Sequence, residues 1–205
     1  ILAFAITESD AGSNTHQMRT TATRTKTGWS VSGSKTYISH VDNAKAILIV
    51  AKVRAVDSAT GSDGLGLFLM DVDAPGLTAQ EIDVEITSPE RQYTLFLDDV
   101  QLPADSVVGE PGDGLLPLIT GLNPERIASD AILNEISLYA LKKAAHYANE
   151  RVVWDLRIGA NQGIAHPLDR AHVLLEASQL LTARAAALFD AKLDAGEASN
   201  IAKVC

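Results

Sequence analysis

The chain has 205 residues, 46% of them hydrophobic and 21% charged, enough to bury a real core at a length on the border between one domain and two. A formal charge of −9 argues against nonspecific binding to nucleic acid or to an anionic membrane, and leaves room only for a local basic site built from a few arginines. The lone cysteine, Cys205, excludes an internal disulfide framework and a multi-cysteine metal cluster, which suits a reducing, cytoplasmic setting, and no apolar run approaches the roughly 20 residues of a membrane helix.

Taken in order, the segments 1–7, 19–26, 29–34, 46–53, 65–71 and 93–97 are short, apolar or alternating, and bounded by turn residues, so they read as strands. The alternation in 21–26 and the Thr27-Gly28 turn before Trp29 predict an antiparallel hairpin with one solvated face. The first half is therefore expected to be a small antiparallel barrel or sandwich. Around Val108 to Gly114, with Gly109, Pro111, Gly112 and Gly114, strand spacing gives way to helical spacing, and the domain boundary is placed there: 1–108 a β domain, 109–205 a helical one.

From Ile127 the positions Ala131, Asn134, Leu138, Leu141, Ala145, Ala148 and Val152 follow steps of three and four, the stripe of a bundle helix. Asn123 before Pro124 reads as a capping side chain followed by proline at the first helical position. A second amphipathic helix is expected after Pro167, with Leu174, Ala177, Leu181, Ala185 and Leu188 on one face and Gly196 as its stop, and a third near Ala198. These define an antiparallel helical bundle, completed by missing sequence or by another subunit, and the fold class is α+β. The chain starts inside a strand without a methionine and ends inside a helix, so it reads as a fragment.

Four clusters could carry chemistry. Thr7-Glu8-Ser9-Asp10-Ala11-Gly12-Ser13-Asn14 turns a strand into a loop of hydroxyls and exposed amides, suited to cradling an anion, although an ordinary hairpin turn has the same composition. Lys35-Thr36-Tyr37-Ile38-Ser39-His40 ends a strand with an aromatic ring two positions from a hydroxyl, on the same face if the strand is regular. That pair suits a planar heterocycle with a polar edge; the alternative is a surface tyrosine closing a hairpin. Asn123-Pro124-Glu125-Arg126 joins an arginine to a helix N-terminus, which favours an anion, while Glu125 can equally be a first-turn glutamate. Arg151 to Trp154, followed by Gly159 to Gly163, is the fourth, and a C-terminal arginine on the helix dipole is its simpler reading. There is no dinucleotide fingerprint, Walker loop, nucleophile elbow or paired-histidine zinc helix, and His166 and His172 are read as helix-start and surface residues rather than metal ligands.

In this order the four clusters resemble the acyl-CoA dehydrogenase family, flavoenzymes that place a double bond between the α and β carbons of an acyl thioester. Residues 6–14 resemble its V-T-E-P-x-A-G-S-D, 35–40 its K-x-W-I-T-N, 122–126 its L-x-x-E-R, and 151–154 its R-x-x-F. The resemblance spans essentially the whole chain. It implies a middle β domain followed by the start of a C-terminal helical domain, FAD as cofactor, acyl-CoA as substrate, electron-transferring flavoprotein as acceptor, and a homotetramer or dimer in which one helical domain completes the neighbour's flavin site.

Residue by residue, the resemblance implies that Phe4, Ile6, Thr7, Gly12 and Ser13 line FAD, with Ser13 also near the CoA portion. It sets Tyr37 against the flavin ring and Ser39 at its reactive edge. It assigns Arg151, Trp154, Asn161 and Gln162 to the FAD of the adjacent subunit, and Asn123 and Arg126 to the acyl-CoA channel. The family's base glutamate lies either in a C-terminal loop beyond this chain or, in isovaleryl and long-chain types, just before the L-x-x-E-R arginine, which here is Glu125. Departures are Tyr37 and Ser39 for tryptophan and threonine, Ser9 for proline, and Asp155-Leu156-Arg157 for the usual G-x-P. An acyl-CoA oxidase or flavin monooxygenase on the same fold is the nearest alternative, and a noncatalytic interaction module a more distant one.

Overall fold

The computed structural model describes residues 1–54, 64–85 and 89–204. The chain forms two compact units, Ile1–Leu118 and Ile119–Cys205.

The first unit is one eight-stranded sheet built from β1 (Leu2–Ala5), β2 (Thr21–Arg24), β3 (Gly28–Ser39), β4 (Ala46–Arg54), β5 (Leu65–Asp71), β6 (Leu77–Ile82), β7 (Gln92–Pro103) and β8 (Val107–Val108). Its order is β6-β7-β3-β2-β4-β5-β8. The α+β class holds, with one correction: among the described residues β6 and β8 do not pair, so the sheet is not a closed barrel. Nor is it all antiparallel. β1 runs parallel to β4 from Leu2↔Ala46 to Ala5↔Ile49, and β2 runs parallel to the next stretch of β4, from Thr21↔Lys52 to Thr23↔Arg54. The chain thus leaves the edge of β4 after β1, makes the loop of residues 6–20, and rejoins the same edge in the same direction.

The hairpin at Thr27-Gly28 forms as expected: Thr25 N–H donates to the Gly28 carbonyl at 2.9 Å, and Gly28 N–H to Thr25 Oγ1 at 3.0 Å. A Cβ at Gly28 would stand 1.9 Å from the Leu102 carbonyl oxygen, so only glycine lets β3 and β7 approach there. Strand β7 continues beyond the expected 93–97. Its alternation breaks at Asp99, in the left-handed region at φ 51°, and resumes at Val100 and Leu102. The sheet's inner face carries Trp29, Val31, Ile47, Ile49, Phe68, Leu95 and Val100, all buried, and the Trp29 and Phe68 rings meet edge to face at 5.1 Å.

Helix α1 (Leu115–Glu150) begins in the first unit and continues into the second, followed by the two-stranded β9 (Val152–Val153) and β10 (Leu156–Arg157), then α2 (Gln162–Asp190) and α3 (Gly196–Val204). Three sequence expectations are corrected here. First, α1 starts at Leu115, where Gly114 is pinned by its N–H to the Leu65 carbonyl at 2.7 Å and accepts from Leu118 N–H. Asn123 and Pro124 therefore lie inside the helix and do not cap it; the turns before them are already formed, so the proline removes one hydrogen bond without ending the element. Second, α2 starts at Gln162, with Pro167 inside it, and Gly196 opens α3 instead of stopping α2. Third, the buried face of α2 is Leu175, Ser178, Thr182 and Ala185: of the expected stripe Ala185 holds and Leu181 and Leu188 are partly buried, while Ala177 is exposed and Leu174 is 57% exposed.

Polar bonding explains that displaced face. Ser178 Oγ donates to Asn134 Oδ1 at 2.7 Å and Asn134 Nδ2 to Thr182 Oγ1 at 3.1 Å, a buried bridge between α1 and α2 that apolar periodicity does not register. Ala148, further along α1, lies beside Gly159 just ahead of α2, so the two helices run antiparallel. Along α1 the expected stripe holds at Asn134, Leu138, Leu141, Ala145 and Ala148, whereas Ala131 is exposed and Val152 belongs to β9. Among the described residues no helix is long and apolar enough to cross a membrane.

Asp130 completes the seam. Its side chain is 4% exposed, Lys203 Nζ stands 4.0 Å from Oδ1, and Oδ2 has no hydrogen-bond partner. Burial pushes its carboxyl up from the ordinary value, with the Lys203 charge opposing. A raised carboxyl favours the native state at low pH and loses that contribution as pH rises through its own value. Asp130→Asn is therefore expected to raise stability by about 1 kcal/mol at pH 7 and by little in acid, read from urea midpoints of the full-length protein at both pH values.

Candidate functional site

In the first unit the loop of residues 6–14 and the end of β3 are held together by a buried charge pair. Glu8 closes a tight turn by exchanging backbone bonds with Ala11, 3.1 Å each way. Its carboxylate accepts from Arg19 N–H at 2.6 Å, Thr20 N–H at 3.0 Å and Lys35 Nζ at 2.9 Å. Lys35 also donates to the Ile6 carbonyl at 3.0 Å and is completely buried. Both carboxylate oxygens of Glu8 and the ammonium of Lys35 thus have partners, as a buried pair requires. Burial pushes the Glu8 carboxyl up, but the bonds from Thr20, Arg19 and Lys35, with the lysine charge, more than offset it and hold it below the ordinary value. Burial pulls the Lys35 ammonium down to about 8 against the opposing effect of Glu8. Neither residue was among the sequence-derived site residues. The available signal was a lysine opening one motif and a glutamate at the heart of another.

Thr36 N–H donates to the Thr7 carbonyl at 2.9 Å, so the loop of residues 6–14 lies beside the last stretch of strand β3 before Ser39. Next to that bond β3 carries a bulge. Lys35 faces Leu95 and Ile38 faces Tyr93, three steps against two, and Tyr37 takes up the extra residue in the left-handed region at φ 57°. Lys35 and Ile38 are both buried, while Tyr37 is 64% exposed and Ser39 partly buried. Regular alternation, which the sequence reading assumed, therefore fails between 35 and 38. Ser39 Oγ is bonded to the Gln92 amide opposite it on β7. Phe4, on β1, and Ile6 and Thr7 beyond its end are partly buried; Gly12 and Ser13 are exposed beyond the Glu8–Ala11 turn. A Cβ at Gly12 would meet no protein atom within 4 Å, so the protein's own packing does not demand glycine there.

In the second unit, Arg151, Trp154, Asn161 and Gln162 fall in one exposed segment. Val152↔Arg157 and Val153↔Leu156 pair as a hairpin whose two turn residues, Trp154 and Asp155, both have positive φ, at 54° and 58°. That is the primed turn whose twist matches a two-stranded ribbon, and an aspartate is among the residues that tolerate it. It leaves Trp154 95% exposed. Asn161 sits at the start of α2, its carbonyl accepting from Ile164 and Ala165 N–H and its side chain donating to the Ile158 carbonyl. Asn123 is buried, with Oδ1 accepting from Ser199 Oγ at 3.1 Å and Arg126 Nη1 at 3.2 Å. Glu125 stands exposed on α1. Because the helix begins eight residues before Asn123, the helix-start anion site expected of Asn123 and Arg126, and the first-turn role for Glu125, are both withdrawn: their amides are inside the helix ladder.

A two-unit α+β protein, its β unit setting a hydroxyl-rich loop beside a strand end, is the class so defined. Residues 3–100 match the family model for the acyl-CoA dehydrogenase middle domain, and residues 112–205 the model for the acyl-CoA dehydrogenase C-terminal domain. The chain is 46% identical over 204 residues to acyl-CoA dehydrogenase FadE12 of Mycobacterium tuberculosis (strain ATCC 25618 / H37Rv), covering 98% of this chain and 52% of that protein. It is 33% identical over 188 residues to a glutaryl-CoA dehydrogenase of Desulfococcus multivorans, covering 91% and 48%. The structure of butyryl-CoA dehydrogenase from Megasphaera elsdenii superposes with a TM-score of 0.84 at 26% identity, over 98% of this chain and 52% of that one. The chain belongs to the acyl-CoA dehydrogenase family, and spans about half the length of the curated relatives it matches.

Proposed function

We propose that the whole protein is an FAD-dependent acyl-CoA dehydrogenase that takes the α proton and the β hydrogen from an acyl-CoA thioester. The observation that supports this most directly is the Thr36 to Thr7 backbone bond, which brings the two motif segments of the β unit to one place. The donors there fit a flavin: hydroxyls at Thr7, Ser13 and Ser39, an exposed Tyr37 ring, and open space above Gly12 that the protein's own packing does not use. Bound FAD would supply the hydride acceptor. Phe4, Ile6, Thr7, Gly12, Ser13, Tyr37 and Ser39 would hold it, and Arg151, Trp154, Asn161 and Gln162 would reach the FAD of a neighbouring copy in a tetramer or dimer. Residues 1–108 would then act as the flavin and thioester domain and 109–205 as the start of the helical one.

Glu125 is our candidate for the base. It stands exposed on α1 and carries a carboxylate one position from Arg126, the spacing of the L-x-x-E-R motif. A base of this kind works in a site that excludes water, where its proton affinity rises, so cover over Glu125 is part of the proposal. Asn123 and Arg126 would border the acyl-CoA channel, Ser13 would approach the CoA portion, and electron-transferring flavoprotein would accept the electrons.

The test is the visible spectrum of the purified full-length protein before and after anaerobic addition of acyl-CoAs of graded length. A yellow protein bleached by at least one of them is the expected result. A colourless protein that takes up no FAD overturns the reading, and rapid peroxide formation on admitting air moves it to an oxidase.

A further inference from the structure

Ser39 and Gln92 lie directly opposite each other where β3 meets β7, and one amide faces one hydroxyl with both of its polar atoms. Gln92 Nε2 donates to Ser39 Oγ at 2.8 Å, and Ser39 Oγ donates to Gln92 Oε1 at 3.2 Å. The two arms are unequal. The shorter uses a lone pair of the hydroxyl and leaves its hydrogen free to turn; the longer is the one that opens when that hydrogen finds a better acceptor.

We infer that Gln92 is a positioning residue for the Ser39 hydroxyl, anchoring Oγ through Nε2 so that Ser39 can either donate to or accept from the flavin edge. The inference rests on the proposed flavin-facing role of residues 35–40. A flavin ring nitrogen that accepts a hydrogen bond when oxidised carries a hydrogen when reduced, so a fixed donor or a fixed acceptor serves only one of the two forms. A hydroxyl held by an accepted bond serves both. With its hydrogen outward it donates to the bare nitrogen; with its hydrogen on Gln92 Oε1 it offers its remaining lone pair to the protonated one. A carboxylate at position 92 could only accept, and would hold the hydroxyl hydrogen to itself.

The experiment uses the full-length holoprotein as Gln92→Glu and Gln92→Leu, each also made in a Ser39→Ala background, with three readouts: the visible flavin spectrum, the reduction potential, and the rate of flavin reduction by acyl-CoA. Each Gln92 variant is expected to displace spectrum and potential and to slow reduction about tenfold, the worth of one hydrogen bond, with substrate affinity unchanged. Without the Ser39 hydroxyl the same substitutions are expected to change nothing further. Unaltered spectrum and potential in both variants with FAD bound overturn the inference, as does an equal displacement in the Ser39→Ala background, which would mean position 92 acts without Ser39. A wild type that binds no FAD fails the functional proposal instead, and this inference falls with it.

Discussion

Exchanging Glu125 for glutamine in the full-length protein is expected to lower turnover about 10³-fold while FAD and acyl-CoA still bind, since the amide keeps the shape of the carboxylate and cannot take a proton. Retained FAD and acyl-CoA binding by the variant is what separates loss of the base from unfolding. Single-turnover flavin reduction is the measurement, because it isolates proton and hydride removal from product release. Reduction at close to the wild-type rate would remove Glu125 from the chemistry and assign the base to another carboxylate of the whole protein.

The second large effect concerns the buried pair of Glu8 and Lys35. Lys35→Met leaves the Glu8 carboxylate buried with its amide donors but without its cation, and such a one-sided deletion is expected to destabilise by about 3–5 kcal/mol. The double variant Glu8→Gln with Lys35→Met removes both charges and should recover a large part of that loss, so the single effects will not add. Urea unfolding of wild type, Lys35→Met, Glu8→Gln and the double variant measures it; strict additivity would mean that the pair is not coupled. The pH dependence has two limbs of opposite sign. Glu8 is held below its ordinary value, so its contribution is full above that value and disappears as pH falls through the lowered one. Lys35 is held down to about 8 from 10.5, so between those values the unfolded chain carries more protons and this group adds stability as pH rises. A wild-type stability curve, less that of the double variant, should show both limbs.

How far the sequence reveals this protein depends on what each residue answers to. Strands β4 and β5 were legible because they are nearly continuous apolar runs, and the β2–β3 turn because Thr27-Gly28 sits between alternating segments. Strand β6 was not, since Leu77–Ile82 buries almost nothing and its pairing with β7 rests on backbone bonds that periodicity does not record. Over the middle of α2 the apolar stripe pointed one position away from the inward face, because Ser178 and Thr182 are buried through their bonds to Asn134, and the two coincide again at Ala185. Pro124 and Pro167 resemble helix starts in sequence and lie inside helices already nucleated upstream. For the candidate site, motif order led to Thr7, Tyr37 and Ser39, but the elements that fix them are a buried ion pair and a single left-handed residue. Both follow from contacts between residues 27 to 60 positions apart, which no local pattern contains.

The bulge at Tyr37 adds one residue to β3 without disturbing the pairing on either side of it. Exchanging one aromatic ring for another at that position keeps the backbone path, and a hydroxyl-bearing threonine could stand for Ser39. Deleting one residue between Lys35 and Ile38 would leave two steps against two, a regular pleat with Lys35 still opposite Leu95, Ile38 still opposite Tyr93 and both still inward. The core on this face therefore places no demand on the extra residue, and any pressure to keep Tyr37 comes from outside the packing of the sheet.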